Sequence, residues 1–154
     1  RFGVARTHSV GVAARAVGDK GKVYAVDVQK ELLEKLKKEA TNQGLHNIEV
    51  IWGDVLSVGG TKLRDQSVDA VIVANLLFQL DNRPVFANEV KRILKPKGRL
   101  MVVDWNESYG GIGPAQNHVV GWRAGRDIFE QAGFIFERDI RAGAHHWGVI
   151  FRKS

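Results

Sequence analysis

Residues 22–54 read KVYAVDVQKELLEKLKKEATNQGLHNIEVIWGD and contain one complete structural unit. Lys22-Val23-Tyr24-Ala25-Val26-Asp27 is a β-branched and aromatic run ending on a carboxylate, the pattern of a buried strand with an acid at its C-terminal tip. From Lys30 to Asn42, Leu32, Leu33, Leu36 and Ala40 form one stripe, while Glu31/Lys35 and Glu34/Lys38 are i,i+4 pairs on the wet side. Gly44 closes that helix, and Ile48-Glu49-Val50-Ile51-Trp52-Gly53-Asp54 is again a strand with an acid at its end. Strand, helix and strand at this spacing predict a βαβ unit, a right-handed crossover and a mostly parallel sheet.

The same pattern extends in both directions. Upstream, Val10, Ala13, Ala14 and Val17 recur at helical spacing, with Thr7 or Ser9 as N-cap and Gly18 as the stop. Downstream, Val68-Asp69-Ala70-Val71-Ile72-Val73-Ala74-Asn75 is nearly unbroken apolar from Ala70, as expected of a central strand covered on both faces. Pro84 opens a helix whose Phe86, Val90, Ile93 and Leu94 face inward, and Lys95-Pro96-Lys97-Gly98 is expected to stop it before a strand from Arg99 to Trp105. Asn106 to Trp122 reads as a glycine-rich lid, Arg126 to Ala132 as a short helix, and Phe134–Arg141 with Trp147–Arg152 as a terminal hairpin. The expected fold class is α/β: a Rossmann-like, mostly parallel sheet with helices on both faces, a C-terminal antiparallel hairpin and a truncated first strand. Residues 1–154 are expected to form one domain.

Composition limits the function classes. The 154 residues include no cysteine, which excludes a disulfide framework, a thiolate metal site and a cysteine nucleophile, and suggests a reducing, cytoplasmic compartment. No apolar run approaches the roughly 20 residues needed to cross a bilayer. The excess of 23 Lys plus Arg over 17 Asp plus Glu gives +6, which favours anionic partners without naming one. A basic cluster at Lys91, Arg92, Lys95, Lys97 and Arg99 could contact phosphates, but a solvated helix face has the same pattern, so nucleic acid is open and not favoured.

Asp27, Asp54, Asn75 and Asp104 fall at four successive strand ends, and α/β sheets bind ligands at those ends. An acid about 20 residues beyond a glycine-rich first turn grips a ribose, because a carboxylate accepts from two vicinal hydroxyls; Asp27 lies 24 residues past Gly3. That spacing alone does not separate a dinucleotide from S-adenosylmethionine.

Longer blocks carry a family resemblance. Gly21 to Val28, Asn47 to Val55, Ser67 to Leu80 and Glu89 to Leu100, the last containing Lys-Arg-Ile-Leu-Lys-Pro-Lys-Gly-Arg-Leu, together resemble the class I S-adenosylmethionine-dependent methyltransferases. The likeness is to the small-molecule branch of quinone-biosynthesis-like, type 11 enzymes. It implies S-adenosylmethionine as cofactor, with Asp27 on the ribose hydroxyls, Asp54 with Val55 beside the adenine, Asn75 near the amino-acid end, and Val28 among the cofactor contacts. Gly3 matches the first glycine of the cofactor loop, but Ala5 and Thr7 stand where further glycines are usual, adding bulk where the ligand's carboxylate end would lie. Little of the family's first strand precedes that loop, which leads us to expect a gap in mid-sheet and a longer parent protein.

Methyl transfer is an in-line displacement, so positioning can do much of the work, and no catalytic residue is assigned. His118, His145 and His146 are lone candidates for a base, and neighbouring His145 and His146 point to opposite faces of a strand, so no metal is expected. Leu76, Phe78, Gln79, Trp105 and His146 are the candidate contacts to a small, partly apolar acceptor. Asn75-Leu76-Leu77-Phe78 keeps the Asn and Phe of the Asn-Pro-Pro-Phe motif of nucleic-acid amino methyltransferases but lacks its prolines. The alternatives are a degenerate, cofactor-free binding module and, less favoured, a nucleic-acid methyltransferase or a nicotinamide oxidoreductase.

Overall fold

Side-chain alternation along the strands determines which core each residue joins. In a computed structural model that describes residues 2–3 and 7–154, with side chains from Val10 onward, strand β2 (Val23–Asp27) sends Val23 and Ala25 into one core and Val26 into another. The first core is shared with α1 (Thr7–Val17) through Val10, Ala13 and Ala14, and with α2 (Lys30–Asn42) through Leu36. The second holds Val71 and Val73 of β4 (Val68–Ala74) against Phe86, Val90 and Ile93 of α3 (Arg83–Ile93) and Phe129 of α4 (Trp122–Gln131). Helices thus cover both faces of the sheet.

With β1 (Phe2–Gly3), β3 (Ile48–Trp52), β5 (Leu94–Trp105), β6 (Ile135–Ile140) and β7 (His146–Arg152), the strand order is β3-β2-β1-β4-β5-β7-β6. Pairing is parallel from β3 to β5, and antiparallel where β7 joins β5 and β6 joins β7. The first strand is as short as expected, but the sheet is continuous across it. Phe2 and Gly3 pair with Val23 and Tyr24 on one side and with Ala70 and Val71 on the other, so two residues join the halves.

Two boundaries differ from the sequence expectation, each for a visible reason. The Lys95–Gly98 segment belongs to β5, which begins at Leu94 where α3 ends; pairing with β4 jumps from Val68↔Leu94 to Ala70↔Arg99. The extra residues find backbone partners beyond β7, with Lys97 N–H donating to the Lys153 carbonyl at 3.0 Å and Lys153 N–H to that of Gly98 at 2.9 Å. Lys97 itself is left-handed at φ 65°. Helix α4 starts at Trp122, four residues before the predicted Arg126. Gly125 lies inside it, and its lack of a side chain is what lets the helix pack on buried Trp147, whose indole a Cβ there would overlap.

The segment between β3 and β4 has no helix and is held by one buried carboxylate. Glu89 of α3 is 3% exposed and accepts from Gly59 N–H at 2.9 Å, Thr61 N–H at 3.1 Å and the Thr61 hydroxyl at 2.7 Å. Arg92 donates to both its oxygens at 2.8 Å and also to Asp65 and the Leu63 carbonyl. Burial raises the pKa of Glu89, but the bonds from Arg92, Thr61 and Gly59 outweigh it and hold the carboxyl at about 2. Four of the five residues of the basic cluster are likewise engaged within the chain: Lys91 with the Ala132 carbonyl, Arg92 as above, Lys95 with Asp69 and Arg99 with Glu137.

Because its folded pKa is depressed, Glu89 contributes stability that is complete above the unfolded value near 4.5 and is lost as pH falls towards 2. Glu89→Gln, which leaves Arg92 without its buried partner, should cost on the order of 3–5 kcal/mol at pH 7. The gap in melting temperature from the wild type should narrow as pH drops through that window. Calorimetry across pH checks this, and a gap independent of pH would contradict the ionic origin.

Candidate functional site

At the carboxyl ends of β2 and β3, turns hold their acids by short local bonds. Asp27 ends β2, and one of its carboxylate oxygens accepts the Gln29 N–H at 2.9 Å. The next carbonyl, of Val28, takes the indole N–H of half-exposed Trp52 from the tip of β3, also at 2.9 Å. Lys30 lies over that indole, 3.8 Å from the ring centroid, so the β2–α2 turn is fastened to β3.

Asp54 uses both oxygens on its own turn: Oδ1 accepts from Leu56 N–H at 2.9 Å and Oδ2 from the Ser57 hydroxyl at 3.1 Å. Gly60 closes the same turn against the Asp54 carbonyl so tightly that a Cβ would overlap it. Asp54 therefore shapes the loop that presents Val55.

Between these two turns lies a cleft of about 160 Å³. Of the residues singled out from sequence, Asp27, Val28, Asp54, Val55, Leu76 and Gln79 line it together. Leu32, Leu56 and Leu80 form apolar parts of its wall that were not anticipated, Leu32 having been assigned to the buried stripe of α2 although it is 37% exposed. Phe78 is half-buried in the single turn Leu77–Gln79 and is not part of the lining. Gly3 ends β1; Thr7 begins α1 and its side chain lies outside the described residues, as does Ala5 entirely.

Asn75 follows β4 with φ 54°, a left-handed conformation that asparagine tolerates better than most residues. Its N–H donates to the Val103 carbonyl at 2.9 Å, and its side-chain Oδ1 is buried with no hydrogen-bond partner. Among the described residues only one other buried side-chain polar atom lacks a partner, His146 Nε2. His146 is the first residue of β7, pairs in register with Trp105 of β5, and its ring lies 4.1 Å from the indole of Trp105. The candidate acceptor contacts thus divide into two groups, Leu76 and Gln79 in the cleft and Trp105 with His146 at the β5–β7 end.

Asp104, the fourth polar strand end, turns inward and is fully buried. Oδ2 accepts the N–H groups of Leu76 at 3.1 Å and Leu77 at 3.0 Å, and Oδ1 accepts that of Trp105 at 2.8 Å. Burial raises its pKa, these three donors lower it, and the net effect is upward. His146 is shifted the other way: burial holds its pKa down against the attraction of Asp104. The sequence signal for Asp104 is parity, because it lies on the same face of β5 as buried Leu100 and Val102.

Comparison with known proteins agrees with this geometry. Residues 3–102 match the family described as "Methyltransferase domain". Demethylmenaquinone methyltransferase of Listeria monocytogenes is 28% identical over 144 residues, covering 92% of this chain and 50% of the relative. The enzyme of the same name from Geobacillus stearothermophilus is 31% identical over 85 residues, covering 55% of this chain and 35% of the relative. The chain thus spans half or less of the length of these relatives. The crystal structure of a SAM-dependent methyltransferase from Aquifex aeolicus superposes with TM-score 0.87 at 29% identity, over 99% of this chain and 81% of that one.

Asp104 can be probed apart from any ligand. In Asp104→Asn a single acceptor oxygen cannot serve both the Leu76/Leu77 pair and Trp105, so one buried donor loses its partner at a cost of about 1–3 kcal/mol. Hydrogen exchange of the Leu76, Leu77 or Trp105 amide should quicken markedly while the strands keep their protection. Unchanged exchange at all three amides would show that the carboxylate does not hold the turn.

Proposed function

The chain belongs to the methyltransferase domain family, whose matched region includes every cleft-lining acid described above, and on that premise we propose that it transfers a methyl group from S-adenosylmethionine to a small, partly apolar acceptor by in-line displacement. Residues 1–154 act in this reading as one methyltransferase-like domain. The observation that carries it is the unpartnered, buried Oδ1 of Asn75 beside a cleft that holds Asp27.

The residues present fit the cofactor. A buried acceptor without a donor is costly, and the ammonium of the cofactor's amino-acid end is a donor that Asn75 Oδ1 lacks. Asp27, tied at one oxygen to its own turn, sits at the strand end where a carboxylate can accept from a pair of ribose hydroxyls. Val28, Val55 and the leucines beside them offer apolar wall for a purine. Asp54 supports the purine end by fixing the Val55 loop. When bound, the cofactor supplies a methyl group on a positively charged sulfur. The protein's part is to align that methyl with the acceptor and exclude water, which positioning alone can do to large effect.

The demethylmenaquinone methyltransferases among the relatives agree with an apolar acceptor, as do Leu76 and Trp105 on this chain. Among the described residues no helix is long and apolar enough to cross a membrane.

Calorimetric titration of S-adenosylhomocysteine tests the cofactor half of the reading. Micromolar binding is expected, weakened about ten- to a hundredfold by Asp27→Ala, the loss anticipated for hydrogen bonds to a charged group. No binding by a chain that unfolds cooperatively would favour the degenerate module instead.

A further inference from the structure

The other buried atom without a partner among the described residues, His146 Nε2, belongs to β7, which pairs with the strand of Asp104 on the side away from β4 and the cleft. Three contacts link the two places. Leu76, on the cleft wall, donates its N–H to Asp104; Asp104 accepts from the N–H of Trp105; and the indole of Trp105 packs at a tilt of 38° on the imidazole of His146. The loop after β5 covers this cluster. Gly113, at φ 82°, packs on the indole of Trp105 so closely that a Cβ would overlap the ring. Tyr109 stacks on neighbouring His145 with ring centroids 3.7 Å apart, and Glu107 meets the same histidine at 3.1 Å. His145 is therefore engaged by the loop, whereas the enclosed nitrogen of His146 has no such use.

Resting on the methyl-transfer reading, we propose that His146 Nε2 is the hydrogen-bond and proton acceptor for the hydroxyl of an uncharged, aromatic acceptor that stacks beside Trp105. A neutral imidazole can keep its proton on Nδ1, which is not enclosed in the same way, and offer the Nε2 lone pair. The occupant has to bring a donor. It cannot be an anion, because the buried carboxylate of Asp104 is adjacent and the imidazole is held neutral. The charged or titratable groups facing it are Asp104 from β5 and His145 from the turn just before its own strand; His145 is itself paired with Glu107 of the covering loop. In the transfer, the hydroxyl O–H bond breaks, its electron pair stays on oxygen, and the proton passes to Nε2. The resulting imidazolium is stabilised by Asp104. The proton transfer accompanies methylation, in which the oxygen–methyl bond forms as the methyl–sulfur bond breaks and leaves its electron pair on the departing thioether sulfur, since an oxygen giving a lone pair to carbon loses its hold on the proton.

The test uses 1-naphthol and 1-methoxynaphthalene, which differ in the one donor, each titrated into the chain with S-adenosylhomocysteine present and absent. Wild type should bind the naphthol at least tenfold more tightly. His146→Phe, which keeps a ring on Trp105, should lose that preference and leave S-adenosylhomocysteine affinity within twofold. The naphthol preference should be full at neutral pH and disappear as pH falls through the depressed imidazole pKa. In ¹⁵N-labelled wild type, the Nε2 signal of His146 should move on adding naphthol and stay put with the ether, a readout that needs no variant to fold. Equal affinity for the two probes, no binding of naphthol, or undiminished preference in His146→Phe would overturn the proposal. If S-adenosylhomocysteine fails to bind while the naphthol preference persists, the methyl-transfer reading fails and the hydroxyl-accepting site stands.

Discussion

The carboxylate of Asp104 sits where three parts of the site meet. It is enclosed at the end of β5 and accepts backbone donors from the turn after β4 and from its own strand. Without it, the N–H groups of Leu76 and Leu77 would point into a dry interior, where an unpaired donor costs as much as a lost hydrogen bond. That turn has to leave β4 abruptly, because Asn75 is left-handed and Leu77 fully buried within three residues of the strand end. Asp104 thus fixes the direction in which Asn75, Leu76 and Gln79 face, and with them one wall of the cleft. A carboxylate suits the position better than an amide because it only accepts, and all of its neighbours donate.

Around that anchor the molecule uses the same device twice more with different exposure. Glu89, almost as enclosed, gathers donors from the long segment after β3 and substitutes for the packing a helix would otherwise supply there. Asp54, exposed at the same segment's start, gathers Leu56 and Ser57 into the turn that presents Val55. The two inward acids hold backbone. Of the strand-end acids, Asp27 alone has most of its acceptor capacity left for a ligand, with one local bond fixing its carboxylate. Position on the pleat decides between these roles more than residue type does.

Much of this was legible in the sequence. The helix from Lys30 to Asn42 was read at its observed bounds, because its stripe, flanking charges and Gly44 all agree with the tertiary outcome. The cleft residues Asp27, Val28, Asp54 and Val55 were found from strand ends and a family likeness. What was missed depends on contacts between parts distant along the chain. The first turn of α4, ahead of Arg126, holds Gly125, whose place in a helix makes sense only once Trp147 is known to need its space, and Lys95–Gly98 reads as a stop until Lys153 is found pairing with it. Phe2 and Gly3 are too few to register as a strand by pattern, yet neighbours on both sides order them as one. Asp104 was placed at a strand end correctly but grouped with the ligand-facing acids, although parity with Leu100 and Val102 turned it inward.

A Rossmann-like sheet does not by itself name a reaction, since one fold supports many chemistries and the site has to be argued from its own atoms. Here the informative atoms are the ones the fold leaves unpaired. A folded chain satisfies nearly all its buried polar groups, so two exceptions among the described residues, at the ends of β4 and β7 on either side of β5, call for an explanation. Asn75 Oδ1 can only accept, and a neutral His146 with its proton on Nδ1 can only accept at Nε2. Both therefore call for ligands that donate, and an ammonium at one and a hydroxyl at the other would satisfy them in a single ternary complex. An anionic or purely apolar ligand would leave both atoms as costly as they are in the free protein. Because Asp104 joins the two places through backbone N–H groups on either side of it, a shift in the Leu76 turn on filling the first would be felt at Trp105, against which the second is built.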